Sequence, residues 1–390
     1  MHWSWQRNLA AFAMLLFGAC SPVYAQSQAA KVVKFKLEDY GWQPLPKQQR
    51  GEWAGMHSRL VSIDHEGRVL VGFATRENLS LANREHPGLS FHILRFTLEG
   101  KVDLSLVLPT NNLFTNGFYL GPNDQIFARA NDTLQWMPEE DGTRKEDAAW
   151  WPLVPCPRNC HISQSPSHRT LTVSTYSKEM SERDYDRGTR TNTMLDASLS
   201  PPRVVQGCPH SGGIITDKFS YQSSDNISTD VRRWPICDQE HDVELPLDMR
   251  GGMVVALNDE ALLLLGAGKD RRGLDLVSPN GQPRFHHEMP KHDVVTEEVR
   301  SDERGDRFAF TVQTWRGGFP ALDIGGKVFA FRVVVYSETG QQLAAVSLNP
   351  QLANVSLNPY YYRQFDFSMS PDGHRLAILD EGVVTVVDIQ

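Results

Sequence analysis

Three short segments of this 390-residue sequence bring cysteine and histidine together: CPRNCH at 156–161, CPH at 208–210 and CDQEH at 237–241. Thiolate and imidazole groups are the ligands that zinc prefers in proteins. The spacings within and between the segments match no zinc finger or zinc ribbon. We therefore expect neither a metal site at His161, His210 and His241 nor any other cofactor.

The N-terminus determines which chemistry the cysteines meet. Arg7 precedes an apolar run, LAAFAMLLFGA at 9–19, that is too short to span a bilayer, and VYA then precedes Gln26. This pattern predicts a secretory signal peptide over residues 1–25 and export to the periplasm or the medium. The alternative is that Cys20, in LFGAC, becomes the lipidated first residue of a lipid-anchored protein.

Export favours disulfide bonds over free thiols. Cys156, Cys160, Cys208 and Cys237 remain after cleavage, and an even number of cysteines in an oxidising compartment is typical of paired cysteines. Three pairings are possible. We favour Cys208 with Cys237 and Cys156 with Cys160.

Other side chains that could do chemistry do not assemble into a recognisable site. His286 and His287 are neighbours in RFHHEMPKHD, and neighbours on a strand point to opposite faces, so they are poorly placed to share an ion. The sequence contains no G-x-S-x-G elbow, H-E-x-x-H helix or Walker loop. The sequence therefore singles out no catalytic residue.

Composition excludes two classes of partner. Hydrophobic residues make up 40% of the chain and charged residues 22%, values typical of a globular protein. Loss of residues 1–25 removes Arg7 and no acidic residue, which changes the formal net charge from −8 to −9. Without a basic run, we expect no binding to nucleic acid or to anionic membranes, and no span in the mature chain.

A hairpin near the C-terminus indicates the architecture. In FSMSPDGHRLAIL, at 367–379, two alternating apolar segments flank a Ser-Pro-Asp-Gly corner. Pro371 fixes the second position of a turn, and Gly373 tolerates the left-handed backbone that lets the chain return. Similar hairpins recur at 59–73, 118–130, 161–175, 214–224, 253–266 and 299–312.

The spacing of these hairpins is that of propeller blades. Six intervals separate Gly67 from Gly373, which is about 51 residues for each, and a second hairpin often follows, as at 93–109, 274–290 and 332–348. Two hairpins give four strands, so we predict an all-β propeller of seven four-stranded blades over residues 26–390.

The last blade, at 364–390, has room for only three strands. We expect KVVKFKL at 31–37 to supply the fourth, with Lys34 and Lys36 facing outward as on a protected edge strand. VVTVVDI at 383–389 is apolar on both faces and should lie inside the sheet. The two ends of the chain would then share one blade and close the ring.

The segment SMSPDGHRLAIL, with its S-P-D-G at 370–373, resembles the repeat of the TolB-type, WD40-like bacterial propellers. The resemblance implies a periplasmic or secreted propeller that serves as an interaction platform or as an accessory to a catalytic domain. We therefore predict a non-catalytic module that binds a protein or polysaccharide partner. The alternative is a hydrolase or lyase with its site at the mouth of the central channel.

Overall fold

The computed structural model describes residues 32–43, 59–76, 89–110, 117–137, 150–157, 160–176, 190–208, 214–223, 231–238, 241, 243–245, 247, 253–267, 273–316, 327–348 and 365–390. In these residues the chain forms 28 strands and one short 3-10 helix, Leu37–Tyr40. The strands form seven antiparallel sheets of four. The predicted fold, an all-β propeller of seven four-stranded blades, is confirmed.

Each blade is numbered in chain order, and its four strands run outward from the channel in that order. The first three blades are β2 (Val61–Ile63), β3 (Val69–Arg76), β4 (Leu89–Phe96) and β5 (Val102–Thr110); β6 (Gly117–Leu120), β7 (Ile126–Ala130), β8 (Thr133–Trp136) and β9 (Trp151–Pro155); β10 (His161–Gln164), β11 (Thr170–Tyr176), β12 (Arg190–Asp196) and β13 (Arg203–Gln206).

The next three blades are β14 (Ile214–Ile215), β15 (Phe219–Ser223), β16 (Val231–Pro235) and β17 (Val243–Leu245); β18 (Met253–Asn258), β19 (Ala261–Ala267), β20 (Gly273–Val277) and β21 (Pro283–Glu288); β22 (Asp293–Ser301), β23 (Arg307–Arg316), β24 (Lys327–Ser337) and β25 (Gln342–Leu348). Blade 7 consists of β26 (Phe365–Met369), β27 (Arg375–Asp380), β28 (Val383–Asp388) and, outermost, β1 (Val32–Lys36).

Short polar side chains form the turn between the first and second strands of several blades. Ser370 Oγ accepts a hydrogen bond from the backbone N–H of Arg375 at 2.9 Å, and Ser165 Oγ accepts one from Thr170 at 3.0 Å. Gly373 takes the predicted left-handed conformation, with φ +73°. Serine side chains that bind nearby backbone groups favour turns, so this local chemistry explains why the same hairpin recurs.

The outer strand closes the ring as the sequence predicts. β1 pairs antiparallel with β28, with Lys34 opposite Thr385 and Phe35 opposite Val384. The lysines face solvent, whereas Phe35 and Leu37 are buried. Strand pairing ends at Lys36, one residue earlier than predicted, because Leu37 begins the 3-10 helix.

Buried apolar clusters join neighbouring blades. Each of six clusters draws its residues from two adjacent blades, and the largest, with Phe35, Val61, Phe96 and Leu379 among its members, joins blades 7 and 1. Within the described ranges, no such cluster joins blades 3 and 4. The Cys208–Cys237 disulfide crosses that junction instead, from the end of β13 to the end of β16.

The predicted signal peptide, 1–25, and Cys20 lie outside the described residues. Two segments rich in charged residues of both signs, 138–147 and 177–189, also lie outside the described residues. Of the residues that the structure describes, none belongs to a helix long and apolar enough to cross a membrane.

Candidate functional site

The first turn of each blade, between its two innermost strands, contributes to one face of the ring, which we call the turn face. Polar contacts join six of the seven pairs of adjacent blades there. They are His65–Asp124 (2.8 Å), Gln164–Leu120 O (2.6 Å), Ser167–Asp217 (2.6 Å), Lys218–Asp259 (3.2 Å), Asn258–Arg304 O (2.6 Å) and Glu303 N–Pro371 O (3.2 Å). At the seventh pair, the Arg375 guanidinium lies so close to Gly67 that a Cβ there would collide with it.

A pocket of about 530 Å³ opens between the first turns of blades 6, 7 and 1. We call it the turn-face pocket. Its walls carry six carboxylic acids, three arginines and two histidines, so they suit a polar, charged partner more than an apolar one. The lining is Asp64, His65, Glu66, Gly67, Asp302, Glu303, Arg304, Asp306, Arg307, Ser370, Pro371, Asp372, His374 and Arg375.

Asp302 is one of two buried acids of this pocket, with Asp64. Its side chain accepts a hydrogen bond from the backbone N–H of Asp306 at 2.9 Å and packs against Gly373 of the next blade. Burial raises the pKa of Asp302 to about 6, although hydrogen bonds from the backbone oppose that shift. Asp302 therefore takes up a proton in mildly acidic solution.

His65 connects three blades at the edge of the turn-face pocket. Its Nδ1 lies 2.8 Å from Asp124 of blade 2, and its Nε2 lies 3.2 Å from Glu303 of blade 6. Burial by itself lowers the pKa of His65, but the two carboxylates outweigh it and raise that pKa. The bridge is thus strongest when His65 is protonated, and it weakens as the pH rises through the raised pKa.

A second group of ionisable side chains lies in the channel, along the innermost strands. Its centre is Asp366 of β26, which is 2% exposed. One carboxylate oxygen accepts hydrogen bonds from Leu60 N (2.6 Å) and Val61 N (3.0 Å) of blade 1. The other accepts them from Phe367 N of blade 7 (2.8 Å) and from Arg300 Nη2 of blade 6 (3.2 Å). Asp366 therefore ties blades 6, 7 and 1 together on the channel side.

Arg59 and Glu298 complete this channel cluster. The Arg59 guanidinium donates a hydrogen bond to Gln164 Oε1 of blade 3 at 2.7 Å, across blade 2. Burial, and then repulsion from Arg300, lowers the pKa of Arg59 to about 10. Burial raises the pKa of Glu298 to about 7, against the attraction of Arg300. An acid that titrates near neutral pH can donate or accept a proton under physiological conditions.

His168, in the first turn of blade 3, lies where the channel cluster meets the turn face. It is 9% exposed. Burial, together with the charges of Arg59 and His65, lowers its pKa to about 3. The imidazole is therefore neutral at physiological pH and can act as a polar, uncharged wall of the channel.

Of the cysteines and histidines that the sequence singled out, those that the structure describes do not line the turn-face pocket; His161 lies on the innermost strand β10, with Nδ1 3.3 Å from Ser163 Oγ. The structure contains disulfide bonds between Cys156 and Cys160 and between Cys208 and Cys237, the pairs that the sequence favours. His241 contacts Asp238 at 2.9 Å on the surface, and His210 lies outside the described residues. No three metal-binding side chains converge anywhere in the described ranges.

His286 and His287 occupy opposite faces of β21, as expected. His286 contacts Asp275, whereas the ring of His287 packs on Tyr336 of the next blade at 5.8 Å. Both serve the surface or the interface between blades 5 and 6, and neither reaches the channel cluster.

Sequence reasoning missed the channel cluster. Asp366 interrupts an otherwise apolar segment, FDFSM, and Arg300 interrupts the end of β22, so a charged residue inside an innermost strand was the available signal. That signal identifies each residue by itself. Only the closed ring shows that β22 and β26, which lie about 240 and 300 residues after Arg59 in the sequence, contact blade 1 in space.

No protein-family model matches the sequence, and the search of curated proteins gives no match either. Solved structures with a similar fold include an oligogalacturonate lyase from Vibrio parahaemolyticus, at 10% identity and TM-score 0.48, covering 93% of this chain and 98% of that chain. The WD40 domain of Toxoplasma gondii coronin shows 10% identity and TM-score 0.46, with 93% and 87% covered.

A third similar structure is the Pyrococcus horikoshii acylaminoacyl peptidase, at 10% identity and TM-score 0.49, covering 85% of this chain and 50% of that one. Similarity at this level carries no inference about activity. The seven four-stranded sheets and the contacts between successive blades show that the chain is a seven-bladed β-propeller.

Proposed function

We propose that the protein is an exported propeller of the TolB type that acts as a non-catalytic binding module of the cell envelope. It holds a protein or polysaccharide partner on its turn face. The observation that carries this proposal is the turn-face pocket, about 530 Å³ in volume and lined by turns from three blades. Polar contacts between these turns keep the pocket walls in place, which reduces the ordering cost of binding.

The charge pattern of the pocket supports a polar partner. Acidic and basic side chains both line it, and Arg304 and Asp306 are exposed. Elsewhere in the part of the chain that the structure describes, the large exposed apolar side chains are scattered, on the outer strands and beside them. They are Val32, Tyr40, Val107, Trp151, Leu199, Val243 and Phe329. A charged rim of this kind gives specificity through complementary charges rather than through a large apolar patch.

Site-specific photocrosslinking tests this proposal. A photoreactive amino acid replaces Arg304 in the full chain, and the matched control carries it at Val107, which is 53% exposed on the outer strand β5. After illumination in intact cells, we expect a partner to be captured at position 304 and not at 107. Equal capture at both positions, or none at 304, contradicts binding at the turn face.

The proposed export has its own test. Mass analysis of the mature N-terminus should find Gln26 as the first residue if residues 1–25 are a cleaved signal peptide. A lipidated Cys20 would instead show a lipid-anchored protein. Non-reducing peptide mapping of the same sample should find the two disulfides that the structure contains.

The channel cluster supports a second candidate function, a hydrolase or lyase. Glu298, with its pKa raised to about 7, has the acid strength of a general acid or base, and Arg59 and Arg300 can stabilise developing negative charge beside it. A screen of glycan and ester substrates, with Glu298→Gln as the matched variant, tests this candidate. Turnover that Glu298→Gln abolishes supports an enzyme, and equal turnover by both proteins, or none by either, excludes this role for Glu298.

A further inference from the structure

Two guanidinium groups of the channel cluster, those of Arg59 and Arg300, interact electrostatically with one carboxylate, Asp366. Arg300 donates a hydrogen bond to Asp366, and Asp366 also accepts hydrogen bonds from three backbone N–H groups of blades 1 and 7. Among the described residues, Arg59 makes no ion pair, and its one hydrogen bond there goes to the uncharged Gln164. The channel therefore holds more arginine charge than Asp366 can balance.

Two further polar atoms of the channel cluster lack partners in the described part of the chain. They are Nε of Arg300 and Oε2 of Glu298, and both are buried from solvent. A buried donor or acceptor without a partner costs free energy, about 1–3 kcal/mol, unless a ligand or water satisfies it. The two atoms come from residues 298 and 300 of the same strand, β22, and residues two apart on a strand share a face, so one ligand group can satisfy both.

The charge state of Glu298 determines which ligand group fits. Burial raises its pKa to about 7, so below neutral pH it is protonated and can donate a hydrogen bond. Two guanidinium groups and the Asp366 carboxylate then leave one positive charge unbalanced. Tyr119 also faces the arginines, and burial raises its pKa, so it adds no negative charge.

We propose that the channel cluster binds a carboxylate group of a ligand between Arg59 and Arg300, with Glu298 as an additional hydrogen-bond donor. A carboxylate brings the single negative charge that the cluster lacks, and its two oxygens match the paired donors of a guanidinium. A cationic group would instead meet two arginines. This site is separate from the turn-face pocket, so it does not depend on the proposed binding there.

The cluster is accessible to a ligand. Arg59, Glu298 and Arg300 keep part of their surface exposed to solvent, and 18% of the Arg300 side chain is exposed, although several blades surround it. Side chains that protein surrounds but solvent still reaches line a channel rather than a sealed core. A carboxylate at the end of a chain can therefore reach the exposed parts of these side chains.

Calorimetric titration of the full-length mature protein at pH 6 and low salt tests the proposal. Two matched probe pairs separate the sources of a carboxylate: glucuronate against glucose, and N-acetyl-glycylglycine against its amide. We expect the charged member of at least one pair to bind tenfold more tightly or better. The pair that discriminates identifies an acidic sugar or a peptide C-terminus as the source.

Variants show whether the channel cluster causes this preference. Arg59→Gln should abolish the preference, whereas Arg203→Gln, on the exposed face of β13, should retain it. Circular dichroism and thermal unfolding verify that both variants are folded. Wild-type protein that does not distinguish the charged from the neutral probes, or a folded Arg59→Gln variant that still does, overturns the proposal.

The pH dependence gives a second readout that a merely structural role would not change. Affinity for the charged probe should fall about tenfold between pH 6 and pH 8 in the wild type, because Glu298 loses its proton and then repels the carboxylate. Glu298→Gln stays neutral and should remove most of this dependence. An unchanged pH dependence in Glu298→Gln overturns the role given to Glu298.

Discussion

The junction between blades 7 and 1 and the junction between blades 3 and 4 are held by different chemistry. The first has the outer strand β1, a large apolar cluster and, on the channel side, the hydrogen bonds of Asp366. The second, in the described ranges, has no apolar cluster but carries the Cys208–Cys237 disulfide and the Ser167–Asp217 hydrogen bond. The comparison teaches that a ring can offset weak packing at one junction with a covalent bond.

Deletion of residues 32–42 should have the largest effect, because it removes the outer strand of the closing blade. Phe35, Leu37 and Trp42 are 6% exposed or less, and each contributes about 2–3 kcal/mol through burial. We expect a loss of about 6 kcal/mol or more, enough to unfold a marginally stable domain. Urea denaturation followed by fluorescence measures it, and a cooperative transition at the wild-type midpoint contradicts closure by β1.

Asp366→Ala should be the most damaging single substitution on the channel side of the same junction. It leaves Arg300 and two backbone N–H groups of blade 1 without their acceptor, and removal of one partner of a buried ion pair costs about 3–5 kcal/mol. Asp388→Ala is the control. It breaks only a surface ion pair with Arg375, which is worth less than about 1 kcal/mol. Similar losses in the two variants would show that Asp366 does not join the blades.

Removal of the Cys208–Cys237 disulfide tests the other junction. The bond spans 29 residues, so in the chain-entropy account Cys208→Ser with Cys237→Ser costs about 3.5 kcal/mol. The Cys156–Cys160 bond spans 4 residues and should cost only about 2 kcal/mol by the same account. Denaturation of the two double variants measures the difference. Equal losses of unfolding free energy would mean that the Cys208–Cys237 bond between blades stabilises the fold no more than the short Cys156–Cys160 loop does.

The stability of the closing blades should also depend on pH. The pKa of Asp302 is about 6 in the folded protein, above its ordinary value of 3.8, so the folded state holds its proton more tightly. The stabilisation that Asp302 contributes is therefore fully present below pH 3.8. It falls by about 1.4 kcal/mol for each pH unit as the pH rises to about 6.

Asp302→Asn keeps the shape of this side chain and removes its titration. Denaturation at pH 4, 5 and 6 should show a flatter dependence of stability on pH for Asp302→Asn than for the wild type and for Asp388→Asn, which changes a side chain of blade 7 that is 43% exposed. A wild-type slope in Asp302→Asn would contradict the burial that raises the pKa of Asp302.

The parts of the fold that the sequence predicts are those that depend on neighbouring residues. The Ser370–Gly373 turn and the alternating strands beside it depend on neighbouring residues only, and so does the outward orientation of Lys34 and Lys36. The seven blades and their closure followed from counting such units. Strand pairing ended one residue early because Leu37 begins a 3-10 helix, and the alternation of apolar and lysine residues does not reveal where the strand stops.

The candidate sites could not be predicted in the same way. Glu298 and Asp366 are charged residues in otherwise plausible strands, and their roles arise from contacts with residues of other blades. His65 likewise meets Glu303 of blade 6 only because the ring closes. Such contacts depend on the relative placement of whole blades, which a single sequence does not specify through local patterns.

Cross-linking across the closing pair of strands tests closure of the ring most directly. Lys34 and Thr385 lie opposite each other on the outward-facing side of β1 and β28, so Lys34→Cys with Thr385→Cys should form a disulfide in the folded protein. Lys36 lies opposite Val383, four residues from Val387, so Lys36→Cys with Val387→Cys should not form a disulfide. Peptide mapping that finds the first bond and not the second supports the closed ring; no bond at 34–385 in folded protein would contradict it.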